Sequence, residues 1–373
     1  MPEYLAPGVF VEEVSFRQKT IEGVSTSTAG FVGPTRFGPV GGEPELLTSF
    51  ADFERIYGGL DPMDFTDGSG PSTNFLAQGV RAFFEEGGRR LYVSRVFGVP
   101  SAQDAETYGR AVWQSDTASP PLWGFRARYP GRAGNATVTF VFRLGENILD
   151  NDASNPGGQP VLRGAAPWDT VWASASGSPP ASPPPTGDLY WLERVFDDAT
   201  GVFTFRLRND DTDASPPSSL ELTEVDEVRI VTVSVIVERP GRFAQEEAWE
   251  NLGFHPQHRR SLSQVFAAEP SRRSAALTVP LVFETTLENG AAIADEMMSQ
   301  ASLAGAADSP PGTVLDGLED PTAGDAARSF RIALTDGFDG ERPVATEYQG
   351  REDTSGYKTG LVALEDVEDV SIV

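Results

Sequence analysis

Two histidines, His255 and His258, stand in the run Phe254-His-Pro-Gln-His258 and are the only histidines in the chain. An H-x-x-H pair offers at most two of the ligands that a zinc ion needs. Pro256 lies between them and no H-E-x-x-H pattern is present, so both read as surface or packing residues. A Ser-His-Asp triad would have to use one of them, and no G-x-S-x-G elbow presents its serine. With no cysteine there is no thiolate nucleophile, disulfide or cysteine-based metal site. Phosphate-cradling patterns, G-x-x-x-x-G-K-[ST] or G-x-G-x-x-G between strand and helix, are missing. Asn209-Asp-Asp-Thr-Asp213 matches the opening of a calcium loop, but Ala214 stands where the turn needs Gly and Leu220 where a bidentate Glu belongs. That run reads as a solvated acidic loop, and Asp336-Gly-Phe-Asp-Gly340 as a tight turn. Asn135-Ala-Thr137 fits a glycosylation sequon by chance. No carboxylate pair is singled out by spacing. These residues do not add up to an enzyme, and no cofactor or metal is expected.

Composition narrows the partners. The 373 residues carry 29 basic and 55 acidic side chains, a net charge of −26. Such a surface repels phosphate backbones and anionic lipid, which disfavours direct contact with nucleic acid or membrane. Lys19 and Lys358 are the only lysines; every other basic residue is Arg. A GC-rich gene accounts for that bias, and a high-salt habitat is the second reading. Apolar content of 39% is enough for a core, while 38 Gly and 29 Pro imply many turns. The opening MPEYLAPGVF has neither the basic nor the apolar region of a signal peptide, and no apolar run reaches the ~18 residues of a membrane span.

Hydropathy patterning predicts four parts. Residues 1–25 form an extended arm, since Pro2 and Pro7 disfavour helix and Val9 to Val14 is a short strand-like run. Residues 26–100 form an α/β unit. Thr28 to Val32 is a strand. Ser49 to Asp52 is a capping box for a helix burying Phe50, Phe53 and Ile56 or Tyr57. A second helix follows Ser72 or Thr73, with Phe75, Leu76, Val80, Phe83 and Phe84 at helical spacing. Leu91 to Val96 is then a strand. Residues 101–240 are β-rich, with period-2 runs at Thr137 to Phe142, Phe203 to Arg208 and Val231 to Val237. The Ser/Pro tract Ser174 to Thr186 and the acidic run Asn209 to Ser219 are surface loops. Residues 241–373 return to α/β: helices at Ala244 to Leu252 and Asn289 to Ser299, a strand at Ala276 to Phe283, a loop from Leu303 to Asp325, and an apolar strand at Asp369 to Val373. The fold class expected is therefore α/β (α+β) and multidomain, with an inserted sandwich- or barrel-like β-rich domain and an extended N-terminal arm.

Tyr4 to Val14, Gly23 to Gly33, Leu47 to Gly59, Val80 to Val96, Tyr129 to Asn135, Leu334 to Gly340 and Thr359 to Glu365 carry short motifs that, taken in order, resemble those of contractile tail sheath proteins. Tyr4-Leu-Ala-Pro-Gly-Val-Phe-Val-Glu-Glu-Val14 is similar to the family's opening Y-x-x-P-G-V-[YF]-x-E-E. Gly23 to Gly33, followed by Gly38-Pro39, resembles its TST-a-FVG run. Leu47 to Phe53 with Tyr57-Gly58-Gly59 resembles TSF-x-DF and [FY]GG. Val80 to Gly88 with Tyr92 to Val96 resembles FF-x-NGG and yv-x-RV, with Glu86 in place of the usual Asn. Tyr129-Pro-Gly-Arg-Ala-Gly-Asn135 is similar to the PG-x-x-GN opening of the family's inserted domain. Leu334 to Gly340 and Thr359 to Glu365 resemble L-x-G-G-x-DG and GL-x-AL.

The resemblance implies a structural subunit, not an enzyme. Identical subunits would stack as hexameric rings around an inner tube protein, between a baseplate and a tail terminator or cap. The inter-subunit arm Pro7, Gly8, Val9, Phe10, Val11, Glu12, Glu13 and Val14 would add a strand to a neighbour's sheet. The β-rich region would project outward. Contraction would drive the tube through a target envelope, in a virion tail or an injection particle assembled in the cytoplasm. Sheath proteins continue into a C-terminal tube-facing domain, so the apolar ending at Val373 is expected to be a truncation. Two other classes stay open: a β-rich adhesin or receptor-binding module, and a hydrolase using carboxylates.

Overall fold

The computed structural model describes residues 28–100, 107–118, 120–175, 187–198, 201–210, 219–241, 245–304 and 312–373. The arm residues from Pro7 to Val14 lie outside the described residues. The fold is mixed α/β, mostly strand, with several sheets and few helices.

The first unit begins with β1 (Thr28–Gly33) and β2 (Glu45–Leu47). Helix α1 (Phe50–Tyr57) starts at the expected cap: Ser49 Oγ accepts the Asp52 N–H at 3.2 Å, and the Asp52 carboxylate accepts from Thr48 Oγ1 at 2.9 Å. It buries Phe53, Ile56 and Tyr57 and stops at Gly58, whose φ is 85°. Helix α2 (Phe75–Glu85) is capped by Asn74 instead of Ser72 or Thr73. The Asn74 side chain accepts from the Ala77 N–H and donates to the Gly59 carbonyl, so it also ties α2 to the end of α1. That start puts Ala77 and Val80 inward and leaves Phe75, expected to be buried, 79% exposed. Strand β3 (Arg90–Arg95) runs parallel to β1 and antiparallel to β2, giving the order β1-β3-β2.

The chain then forms β4 (Val112–Gln114), β5 (Trp123–Ala127), β6 (Thr137–Asn147), β7 (Leu149–Asp150), β8 (Val161–Leu162), β9 (Thr170–Ala175), β10 (Asp188–Asp197), β11 (Val202–Arg208), β12 (Ser219–Leu220) and β13 (Val225–Arg239). After residue 240 come β14 (Gln245–Leu252), α3 (Leu262–Val265), α4 (Arg273–Thr278), β15 (Leu281–Thr285), α5 (Gly290–Met298), α6 (Val314–Glu319), β16 (Ser329–Ala333) and α7 (Ala345–Gln349).

Eight strands join in one sheet, β12-β11-β10-β9-β13-β6-β16, with β14 also on β13. Strand β13 organises it: β6 pairs along one side, while β9 and then β14 share the other. Val231, Val233, Val235 and Val237 are buried, as their alternation predicts, and so are Val138, Phe140 and Phe142. A second sheet, β15-β5-β4, packs against the same core through an aromatic layer. Phe140 stacks on Phe330 at 4.6 Å, and Trp123 meets Phe140 edge-on at 6.1 Å. Since β6 and β13 precede residue 240 and β14 and β16 follow it, one sheet and one core run across that position. The first unit keeps its own core around Leu47, Phe53, Val80 and Leu91.

Four expectations need correction. Ala244 to Leu252 reads as helix from its Glu and Ala, but Gln245–Leu252 is a strand, because the free edge of β13 outweighs local propensity. Ala276 to Phe283 is split: α4 runs to Thr278, Pro280 follows it, and β15 begins at Leu281. The loop from Leu303 to Asp325 contains α6, started by a Thr313–Asp316 capping box. Alternation in β11 fails at its outer end, where Phe203 is exposed. There the β10–β11 hairpin outruns β9 and β12, which pair only near Trp191 and Arg208. The apolar run Asp369 to Val373 makes one parallel bridge, Ile372 to Ala29.

Candidate functional site

The segments quoted for the resemblance are far apart in the chain, yet two of them meet in one hydrogen-bonded joint. The Asn135 side chain forms a two-way clamp on Gly337: its amide donates to the Gly337 carbonyl at 2.8 Å, and its oxygen accepts the Gly337 N–H at 2.7 Å. Both functions of that amide are thereby used, so the sequon reading of Asn135 has no free side chain to work with. Asp339, 1% exposed, accepts the Arg132 N–H on one oxygen and the Asp64 N–H on the other, each at 2.9 Å. The Arg132 guanidinium returns to the Asp64 carboxylate. Asp336 to Gly340 is thus not a locally closed turn. Phe338 N–H reaches the Gly109 carbonyl, and the Gly340 carbonyl accepts from Thr66.

Arg95 lies beneath this joint. Its guanidinium donates to the Gly38 carbonyl at 2.6 Å and the Pro130 carbonyl at 2.8 Å. Burial pulls its pKa down to about 10, while the charge of Asp339 acts in the opposite sense. Gly131, at φ 135°, permits the close approach: a Cβ there would sit 2.2 Å from the Arg36 carbonyl oxygen. The Thr359–Glu365 segment closes the other side of the first unit, where Ser94 Oγ donates to the Gly360 carbonyl at 2.7 Å. A surface ion pair joins Arg342 to Asp67, and Arg273 of α4 is tied to Glu43 and to Glu45 of β2. Every polar group named here holds backbone or another fixed charge. The arrangement can position segments; it presents no nucleophile beside a base.

The histidines lie elsewhere, against β9 and β10. His258 Nε2 contacts the Asp169 carboxylate at 3.3 Å. His255 is buried; its Nδ1 accepts the Gln257 N–H, and burial followed by the His258 charge pushes its pKa down to about 4. Ser261 Oγ is turned to Pro256 and Gln264, so no triad forms. Among the described residues no group of three His, Cys, Asp or Glu side chains is placed to hold a metal ion. In the calcium-like run, Asp210 is held by Arg208 at 2.9 Å, and residues 211–218 lie outside the described residues. Among the described residues no helix is long and apolar enough to cross a membrane.

Sequence reasoning quoted Arg95, Asn135 and Asp339 only as members of motifs. It missed Asp64 altogether, because both its backbone N–H and its carboxylate meet partners far away in the chain, Asp339 and Arg132. No protein-family model matches the chain, and no curated protein gives a significant match.

Proposed function

We propose that the chain is a structural subunit of a contractile tail sheath, polymerising helically around an inner tube and contracting to drive that tube through a target envelope. The observation that carries this reading is the joint at Asp339. Motif residues separated by some two hundred positions hold one another's backbone, so segments that carry the resemblance form one fixed joint. In this reading residues 101–240 supply the inserted outer domain, whose large sheet is completed by β14 and β16 from residues 241–373, and the first unit belongs to the sheath core.

The arm from Pro7 to Val14 then pairs with a neighbouring copy. A heterologous contact of that kind propagates as a helix instead of closing. The partners are identical subunits in stacked rings, the tube protein, a baseplate and a terminal cap.

A second reading, an adhesin, is favoured by one feature. The β10–β11 hairpin ends in a cross-strand pair of exposed aromatics, Phe196 and Phe203. Immunogold electron microscopy of a native lysate, with antibody against this chain, separates the two. Label along the outside of tubular particles of long and short form supports the sheath. Label confined to particle tips or cell surfaces overturns it in favour of the adhesin.

A further inference from the structure

His255 sits in an unusual enclosure. It is 2% exposed and lies against two indoles, Trp168 at 4.5 Å and Trp191 at 5.1 Å between ring centroids. Its Nε2 is buried with no hydrogen-bond partner, and so is the Thr170 hydroxyl. The two residues converge on Gly290: a Cβ there would lie 2.6 Å from Thr170 Oγ1 and 2.8 Å from the His255 Cβ. Trp168 closes the enclosure from the half-exposed side and does so at φ 71°, a left-handed backbone that a bulky side chain rarely adopts. A strained residue thus covers an unsatisfied imidazole.

The charges around His255 are already committed. On its own loop stands His258, held by Asp169 from the segment entering β9. Across Trp191, Arg208 lies over the indole and is paired with Glu193 and Asp210. At the N-terminus of α5 the cap is the uncharged Asn289, and the neighbouring Glu288 is exposed to solvent. None of these carboxylates is within ion-pair distance of His255, so a proton arriving there finds no counter-ion.

We propose that His255 and Trp168 form an acid-operated latch, in which protonation of the enclosed imidazole expels Trp168 and opens the 163–169 segment while the large sheet stays folded. No covalent step is involved; the imidazole takes a proton at Nε2 and exchanges an apolar enclosure for water. The closed form keeps His255 neutral down to about pH 4, whereas an open, hydrated imidazole takes its proton near 6.5. Between those values acid shifts the closed–open equilibrium by up to roughly 300-fold. Releasing the positive-φ strain of Trp168 adds to the same direction.

Having two histidines makes the test direct. The full chain, labelled with 13C in its histidine rings, gives two titrating signals, followed by NMR beside near-ultraviolet and far-ultraviolet circular dichroism. A Trp168→Phe difference spectrum identifies the Trp168 signal. The expected result is a His255 midpoint well below 6.5, with the Trp168 signal changing alongside it and the far-ultraviolet spectrum constant. Trp168→Gly removes the cover and the strain together, so it raises the His255 midpoint toward 6.5. His255→Gln abolishes the Trp168 transition, and His258→Gln leaves it in place. A His255 midpoint near 6.5 in the wild type overturns the latch. So does a Trp168 signal that is unmoved through the His255 midpoint, or that changes only as the whole sheet unfolds.

Discussion

Asp339 is a buried carboxylate with one backbone N–H on each oxygen, and the donors come from two different segments. Asp339→Ala leaves both N–H groups without their acceptor. Each such group costs about 1–3 kcal/mol when cut off from water, so the expected loss is about 2–6 kcal/mol, read from urea unfolding of the full chain. Asp339→Asn keeps one acceptor and falls between. A loss under about 1 kcal/mol for the alanine variant would mean that the joint is not what holds these segments. His255 sets a pH dependence of its own. Its folded pKa lies below the ordinary 6.5, so between about pH 6.5 and 4 the unfolded chain binds the proton that the closed fold refuses. Stability contributed by the neutral, enclosed imidazole is complete above 6.5 and falls as pH drops toward 4. The loss is about 3 kcal/mol if the enclosure stays shut, less if the latch opens first. Urea midpoints measured at pH 7 and pH 4.5 for wild type and His255→Gln check it: the wild type must lose more than the variant.

At the scale of elements, local chemistry decided starts more reliably than identities. Ser49 and Thr313 each accept the N–H three residues on. At Thr313 the Asp316 carboxylate accepts the Thr313 N–H in return, whereas Asp52 reaches past Ser49 to the Thr48 N–H and hydroxyl, so the box expected at Ser49 is only half formed. Ser49→Ala and Thr313→Ala should each cost about 1 kcal/mol in thermal unfolding, while Ser72→Ala, outside any cap, costs nearly nothing. The Ser49 cap is legible in the sequence; the same S/T-x-x-D signal at Thr313 to Asp316 lies inside a small-residue stretch that reads as loop. Alternation exposed β6 and β13 because both lie where one face must be apolar. It failed at the tip of β11 because nothing local records that β9 and β12 stop short of it. Strand β14 was illegible for a related reason. Its Glu-Glu-Ala-Trp-Glu run favours helix, and only the unpaired edge of β13 makes it a strand. The Asp339 joint could be suspected residue by residue, but its geometry depends on three loops that meet only after both sheets have formed.

At the scale of the whole molecule, the sheath proposal turns on the difference between folding and linking. The described residues hold their own cores: one beneath β1-β3-β2, a larger one between the two other sheets. In the sheath reading the arm from Pro7 to Val14 completes a neighbour's sheet and not its own core. Deleting residues 1–20 from the full chain should then leave the thermal midpoint within a degree or two of wild type. If the arm links neighbours by adding a strand, the same deletion must abolish ordered helical polymers seen by negative-stain electron microscopy. Val11→Pro is the finer probe. It removes one backbone N–H from the arm, and a proline in a paired strand forfeits a ladder hydrogen bond. Repeated at every subunit contact, that cost should shift assembly to far higher protein concentration without touching the monomer. A truncated chain that unfolds would make the arm an ordinary first strand of its own domain. A truncated chain that still polymerises would move the link between subunits to another surface.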